Sequence, residues 1–560
     1  MRGKNKKTLL GQLIQGATLA LGAVLSLPVQ AAAPGIVGST ALGKPGTSTF
    51  TLNVGETSIS QPDGTVVYAW GYGCATPPAG GFAPAAVSGA FCPMVQLPGP
   101  TLIVTEGDVV TVTLVNSLPA AAGNTSILFP GFQVASNGGT PGVLAQEAPN
   151  ATYACASAPC NTVTYTFTAT TPGTHSYYSG SQPDLQIEMG LSGALIVLPS
   201  SQQTTGTNGS HCTPLNQDQA KNFHGEAEFR LATSAYDHPA TCYDREYLFQ
   251  FTEMDGSIHL QAQQQVLADK AKAAGTGCTS PTGCLVVPTE PYVANYFMVN
   301  GRSMPDDMDP NYAPMYPNQP YNGNPHMHPG ELTLLRIIGQ GRFQHPFHEH
   351  ANHVRVIARD GNLLVAQNDP SCSKLSGAAY TNCAAPAGPL MFTTTTTPGL
   401  AMDGIFYWTG RGLNWDVFGH GYAGDKTPCI PDANGYYTAD PTAPNYYEWC
   451  GDHTKALEKH PFGQVASGGP ATLPDPTIVA NGLWYSGSPY LGSEATGRAV
   501  GNTPLPVVGT TVNPPGTEAG YAYMWHSHNE REITTNNIFP GGMMMMMLID
   551  ARSYPINESN

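Results

Sequence analysis

Glycine or proline stands at 113 of the 560 positions, 63 and 50 respectively, spread along the chain with no G-X-Y period. The spread rules out a collagen helix and leaves few intervals long enough for an α-helix, because inside one a proline costs about 3 kcal/mol and a glycine about 1 kcal/mol. Only Ile258 to Ala274, rich in Gln, Ala, Leu and Lys, reads as a short helix. Elsewhere the chain alternates as short strands do between frequent turns. With 41% apolar residues it buries sizeable cores, and its length suits two to four domains.

Two β-rich runs, Thr101 to Thr105 and Val109 to Val115, flank a Glu106-Gly107-Asp108 turn, and a similar unit recurs from Pro329 to Ile338. Each half of the chain then ends in an apolar strand after a glycine, Gly193 to Leu198 and Gly542 to Ile549. This is the pattern of a duplicated β-sandwich. The expected organisation is a first domain at 34–200, a polar, turn-rich connecting segment at 201–245 and a second domain at 246–560. The second domain carries an insertion at about 416–517, dense in Gly, Pro and Tyr and placed between its penultimate and last strands.

Arg2, Lys4, Lys6 and Lys7, an apolar run from Ala17 to Val29 and then Ala31, Ala32 and Ala33 have the three-part layout of a secretory signal covering residues 1–33. A membrane anchor is the alternative, but the run is short for a span and broken by glycine and proline. No transmembrane segment is expected once the signal is removed. The place of action is then periplasmic, cell-surface or extracellular. The formal charge is −16, with no basic stripe beyond the first residues, so nucleic acid is excluded as a partner. Twelve cysteines in an exported chain read as bridges between neighbours: 74/92, 155/160, 212/242, 278/284, 372/383 and 429/450.

Several strings resemble the multicopper oxidase family. They are Pro98-Gly99-Pro100-Thr101 with Glu106-Gly107-Asp108, Phe297 to Arg302, Thr397-Pro398-Gly399, His345-Pro346-Phe347-His348-Glu349-His350 and Trp525-His526-Ser527-His528. They follow one another in family order. The resemblance implies an all-β fold of two cupredoxin-like Greek-key β-sandwich domains, the second with the long insertion. It also implies copper: a type 1 ion that accepts electrons, and a trinuclear cluster held by four H-x-H pairs.

Set against that ligand pattern, the first half departs. Leu128 and Pro130 stand where the resemblance places one pair, and Tyr178 and Gly180 where it places the other. His175, three positions before Tyr178, should face away from it. In the second half His348 and His350, then His526 and His528, match the remaining pairs. Residues i and i+2 of a strand share a face about 7 Å apart, so two neighbouring H-x-H strands can converge on one ion. Four neutral imidazoles suit copper, one ion or two, and zinc is not excluded. The type 1 position has Ser527 for the cysteine and Glu532 for its later histidine, leaving His345 and a methionine from Met543 to Met547 as remnants. A blue site needs a thiolate, so none is expected. The methionine run reads as a core strand, with a soft copper(I) site as the alternative. His326 and His328 form a further i, i+2 pair in a Pro-rich turn.

The resulting expectation is an exported oxidoreductase with a reduced, His-only metal site at His348, His350, His526 and His528, with His345 as a further candidate. Glu530 or Glu532 would move protons, and the substrate would be a small molecule or a metal ion. The alternatives are a non-catalytic extracellular cupredoxin scaffold, used for binding or structure, and a copper-sequestering protein. The resemblance to two-domain family members implies a homotrimer.

Overall fold

The computed structural model describes residues 33–84, 92–150, 161–202, 212, 229–273, 275–366, 375, 379, 383, 385–411, 429–440, 448–451, 487–490, 520–550 and 556. Apart from Ala33, the expected signal segment lies outside these residues.

The first half contributes β1 (Gly35–Val37), β2 (Thr47–Ser60), β3 (Val66–Cys74), β4 (Phe82–Ala83), β5 (Leu102–Thr105), β6 (Val109–Asn116), β7 (Ala135–Gly138), β8 (Thr140–Pro141), β9 (Gln146–Glu147), β10 (Thr162–Thr168), β11 (Gly173–Tyr178) and β12 (Ser192–Leu198). Ten of these form two five-stranded sheets, β11-β12-β5-β1-β4 and β3-β2-β6-β10-β7. Phe50, Trp70, Leu102, Val112, Tyr165 and Tyr177 are buried between them. Each such side chain contributes about 1.5–3 kcal/mol by leaving water.

The second half follows with β13 (Arg245–Met254), α1 (Gly256–Lys270), β14 (Tyr296–Val299), β15 (His326–Met327), β16 (Leu332–Gly339), β17 (Pro346–Glu349), β18 (Val354–Arg359), β19 (Asn362–Leu363), β20 (Leu390–Met391), β21 (Thr393–Thr395), β22 (Ala401–Tyr407), β23 (Gly487–Tyr490), β24 (Gly520–Ser527) and β25 (Met544–Asp550). One sheet runs β14-β13-β16-β22-β18-β19, with β20 on β18. The other runs β15-β25-β24-β17-β21, with β23 on β24. Their core joins Phe249, Phe347, Phe406, Trp525 and Met545. The chain is thus two all-β, cupredoxin-like sandwiches. The expected helix forms, opened by Asp255, whose side chain accepts from the Ser257 N–H.

Burial explains the two kinds of strand. β6 and β10 alternate buried and partly exposed residues because one face meets solvent. β5, β12, β13 and β16 are buried throughout. Their sheets pack against each other across the two halves, Ile103, Ile196 and Leu198 meeting Leu248, Ile338 and Ala401. A strand covered on both faces has no need of polar positions. The same interface holds a charge network. Arg336 donates to Glu246 Oε2 at 2.8 Å and to Thr174 Oγ1 at 3.1 Å, while Asp403 accepts from Thr174 Oγ1 at 2.5 Å and Tyr236 OH at 2.6 Å. The Glu106-Gly107-Asp108 turn also forms: Gly107 sits at φ +89°, and Asp108 accepts from Gly46 N, Ser48 Oγ and Thr105 N.

Two expectations change. The connecting segment, read as polar and turn-rich, contains no strand over 229–244, yet Leu231 is buried in the seam between the sandwiches, and Ala235, Tyr236 and Tyr243 are buried against Leu332, Leu334, Ile357 and Ile405 of the second one. The insertion precedes the last two strands, β24 and β25, rather than the last alone, and β23 from within it pairs with β24. Bridges 74–92, 212–242, 278–284 and 429–450 form as the spacing predicts. Cys383 is bridged too, while Cys372, Cys155 and Cys160 lie outside the described residues. Among the described residues no helix is long and apolar enough to cross a membrane.

Candidate metal centre

Pairing of β17 with β24 builds the candidate centre. The strands run antiparallel with His348 directly opposite His526, Phe347 opposite Ser527 and Glu349 opposite Trp525. Facing residues of an antiparallel pair project to the same side, so the imidazoles share one face while Phe347 and Trp525 enter the core. Ring centroids lie 4.6 Å apart for His348 and His350, 5.6 Å for His348 and His526, 5.1 Å for His350 and His526, and 5.0 Å for His348 and His528. All four predicted histidines are therefore one cluster.

The cluster is graded in exposure. His348, His350 and His526 are buried, whereas His528 is half exposed, with the more exposed Glu530 3.7 Å from its Nδ1. Burial, together with the other imidazoles, pushes His350 down to about 3 and His348 to about 4, and His526 is lowered for the same first reason. The three rings are neutral at pH 7 and each keeps a nitrogen lone pair. His350 Nε2 and His526 Nε2 stand 3.2 Å apart, and His348 Nδ1 is 2.8 Å from Thr393 Oγ1.

Among the described residues, no three His, Cys, Asp or Glu side chains have their ligating atoms gathered at one point as they stand. The 3.2 Å pair nevertheless matches the edge of a tetrahedral site: two nitrogens at about 2.0–2.1 Å from one ion are about 3.3 Å apart. Rotation about χ2, a broad torsion for histidine, is the movement that would bring a third nitrogen to such an ion. The residues present thus fit an imidazole-bound metal.

They do not fit a type 1 copper. His345 is fully buried with Nδ1 2.8 Å from Glu532 Oε2 and Nε2 3.0 Å from Glu253 Oε2. Burial opposes charge on this ring, but hydrogen bonds to the two carboxylates and their charges outweigh it, raising His345 to about 9. It is an imidazolium with no nitrogen left for a metal, so the expectation of His345 as a ligand gives way to a structural ion triad. Glu532 also accepts from Ser527 Oγ at 2.5 Å and Asn529 Nδ2 at 2.8 Å. Glu253 accepts from the backbone of Arg342 and Phe343. Ser527 alternates with His526 and His528, so this network lies on the opposite side of β24 from the cluster. The structure therefore separates Glu532 from the imidazoles, while Glu530 stays beside them. Nothing in the sequence singled out Glu253; its only signal is the end of a strand paired with the β14 motif.

The remaining candidates fall elsewhere. His326 Nδ1 meets Asp550 Oδ2 at 2.6 Å and His328 Nδ1 meets the Asp550 carbonyl at 2.9 Å. His326 is level with Leu548 of β25, four residues or about 13 Å along that strand from the position facing His526. In the first sandwich, Leu128 and Tyr178 are joined by a backbone bridge, so the two positions implied for histidine pairs do come together, but as apolar and phenolic groups. His175 is buried against Phe132 with Nε2 3.0 Å from the Thr171 carbonyl. Glu349, on the core side, accepts from Thr394 at 2.5 Å, and burial raises it to about 8.

Residues 94–202 match a family model described as multicopper oxidase. The resemblance carried by the motifs is thereby shown for this part of the chain. No curated protein matches the chain. Among solved structures it is similar to a blue copper oxidase from Nitrosomonas europaea, at 15% identity and a TM-score of 0.39, over 89% of this chain and 85% of that one. It is also similar to a copper nitrite reductase from Nitrosomonas europaea, at 17% identity and a TM-score of 0.35, over 65% and 85%. A laccase from Botrytis aclada matches at 18% identity and a TM-score of 0.34, over 65% and 47%.

Proposed function

We propose that this multicopper-oxidase-like chain is an exported copper-binding oxidoreductase with a His-only, type 2-like site at His348, His350, His526 and His528 and no type 1 copper. The observation that carries the reading is the convergence of four imidazoles across the β17–β24 pair, with two ring nitrogens 3.2 Å apart. Copper, when bound there, supplies one-electron exchange with a small substrate or with oxygen; zinc suits the same nitrogens. The chain's own residues do the rest. Buried His348, His350 and His526 offer neutral nitrogens, exposed His528 opens the site to solvent, and Glu530 stands beside it at 3.7 Å, placed to exchange protons with an incoming group. Glu532 has both oxygens engaged and positions His345 instead.

On this reading residues 1–33 are the removed signal, 34–200 and 246–560 the two domains, and a neighbouring subunit of a homotrimer closes the open side at His528. A second reading, a scaffold or copper store without turnover, uses the same four imidazoles.

Metal content and electron paramagnetic resonance of the mature protein, beside a variant with the four histidines replaced by alanine, test the proposal. About one copper per chain with a type 2 signal, lost in the variant, supports it. Equal metal in both proteins overturns the site. An intense thiolate-to-copper absorption overturns the absence of a type 1 ion. Full loading without turnover of any reductant selects the second reading.

A further inference from the structure

The methionine run divides into two sets. Met543, Met545 and Met547 are fully buried among Phe347, Tyr523 and Trp525, and fill the second core as flexible apolar side chains do. Met544 and Met546 project to the other face of the sheet. That face is the one bearing the imidazoles. The register sets Met544 opposite His526, itself opposite His348, and sets Met546 opposite Met524. His350 follows Glu349, the last paired residue of β17, which faces Trp525, so continuing the register by one residue sets His350 beside Met524. Met524 and Met546 are partly exposed, so filling a core does not account for them.

Facing residues have Cβ atoms about 4.5–5.5 Å apart, which puts the thioether of Met544 in reach of the His526 ring and that of Met524 in reach of His350. Thioether sulfur is a soft donor that selects copper(I) over zinc or copper(II). We propose that Met524, Met544 and Met546, with His350 and His526, form a copper(I)-binding face continuous with the imidazole cluster. The inference rests on the imidazole site proposed above and adds to it the oxidation state the protein retains.

The test uses the mature full-length protein and the volume-conserving triple variant Met524→Leu, Met544→Leu, Met546→Leu. Copper(I) affinity is measured anaerobically by competition with a colorimetric chelator, zinc affinity by competition with a fluorescent one, and sulfur scattering by X-ray absorption of the copper(I) form. The expected result is a fall in copper(I) affinity on the order of tenfold or more in the variant, with zinc affinity unchanged and sulfur scattering present only in the wild type. Equal copper(I) affinity in the two proteins, or copper(I) in the wild type without sulfur neighbours, overturns the proposal. Zinc and copper(II) bound equally by the wild type and the four-alanine variant instead overturns the imidazole reading. Should the triple variant fold poorly, the wild-type sulfur signal and the single variant Met544→Leu decide the matter.

Discussion

The Glu253–His345–Glu532 triad makes stability depend on pH in a direction opposite to that of a buried neutral histidine. His345 titrates at about 9 in the folded protein and at about 6.5 when unfolded. A folded value above the unfolded one means that the stabilisation is complete below about pH 6.5 and is lost as pH rises through about 9. The distance between the two, at about 1.4 kcal/mol per pH unit, makes the contribution about 3 kcal/mol, reached because the ring is fully buried between two carboxylates. The perturbation is His345→Leu, which leaves Glu253 and Glu532 facing one another without the cation and costs about 3–5 kcal/mol at pH 6. Urea unfolding of metal-free wild type and variant, followed by tryptophan fluorescence at intervals from pH 6 to pH 10, measures both quantities. The wild type should lose about 3 kcal/mol more than the variant across that range, so the two curves converge at high pH. Parallel curves would refute the protonated triad.

Further perturbations probe other parts of the structure. Asp403→Ala removes the acceptor shared by Thr174 and Tyr236 and leaves Arg336 with less compensation at the seam between the sandwiches, so a loss of about 3–5 kcal/mol is expected in chemical denaturation. Met545→Ala should cost about 2–5 kcal/mol because the side chain is fully buried in the second core, whereas Met545→Leu should cost less than about 1.5 kcal/mol; differential scanning calorimetry separates them. Ser527→Cys supplies a thiolate but no pair of imidazoles, since both nitrogens of His345 are engaged; copper(II) addition to this variant should give no blue absorption, and its appearance would contradict the ion triad.

Much of this molecule was legible residue by residue. The alternation of Val109 to Val115, the turn at Glu106-Gly107-Asp108 and the helix after Asp255 follow from local rules of side-chain direction, turn chemistry and capping. So did the two H-x-H pairs, because a period of two sets both rings on one face whatever the strand pairs with. Other features carried no local signal. The continuous apolar burial of Ser192–Leu198 arises from a second sandwich covering the strand's outer face. The connecting segment is buried because Ala235, Tyr236 and Tyr243 lie against apolar side chains of the second sandwich, Leu332, Leu334 and Ile357 among them.

The site shows the division most sharply. The sequence by itself determined which donor atoms exist: four imidazoles in the second half, none at Leu128, Pro130, Tyr178 or Gly180, and a hydroxyl at Ser527 where a thiolate was needed. Only the tertiary structure decided what those atoms meet. It set His348 opposite His526 from a distant part of the chain, turned Met544 toward that pair, and closed Glu253 and Glu532 on His345 so that a potential ligand became an imidazolium. Chemical identity is a property of each residue, but coordination and charge state depend on partners brought together by strand pairing and on the removal of water around them, and neither is encoded at any single position.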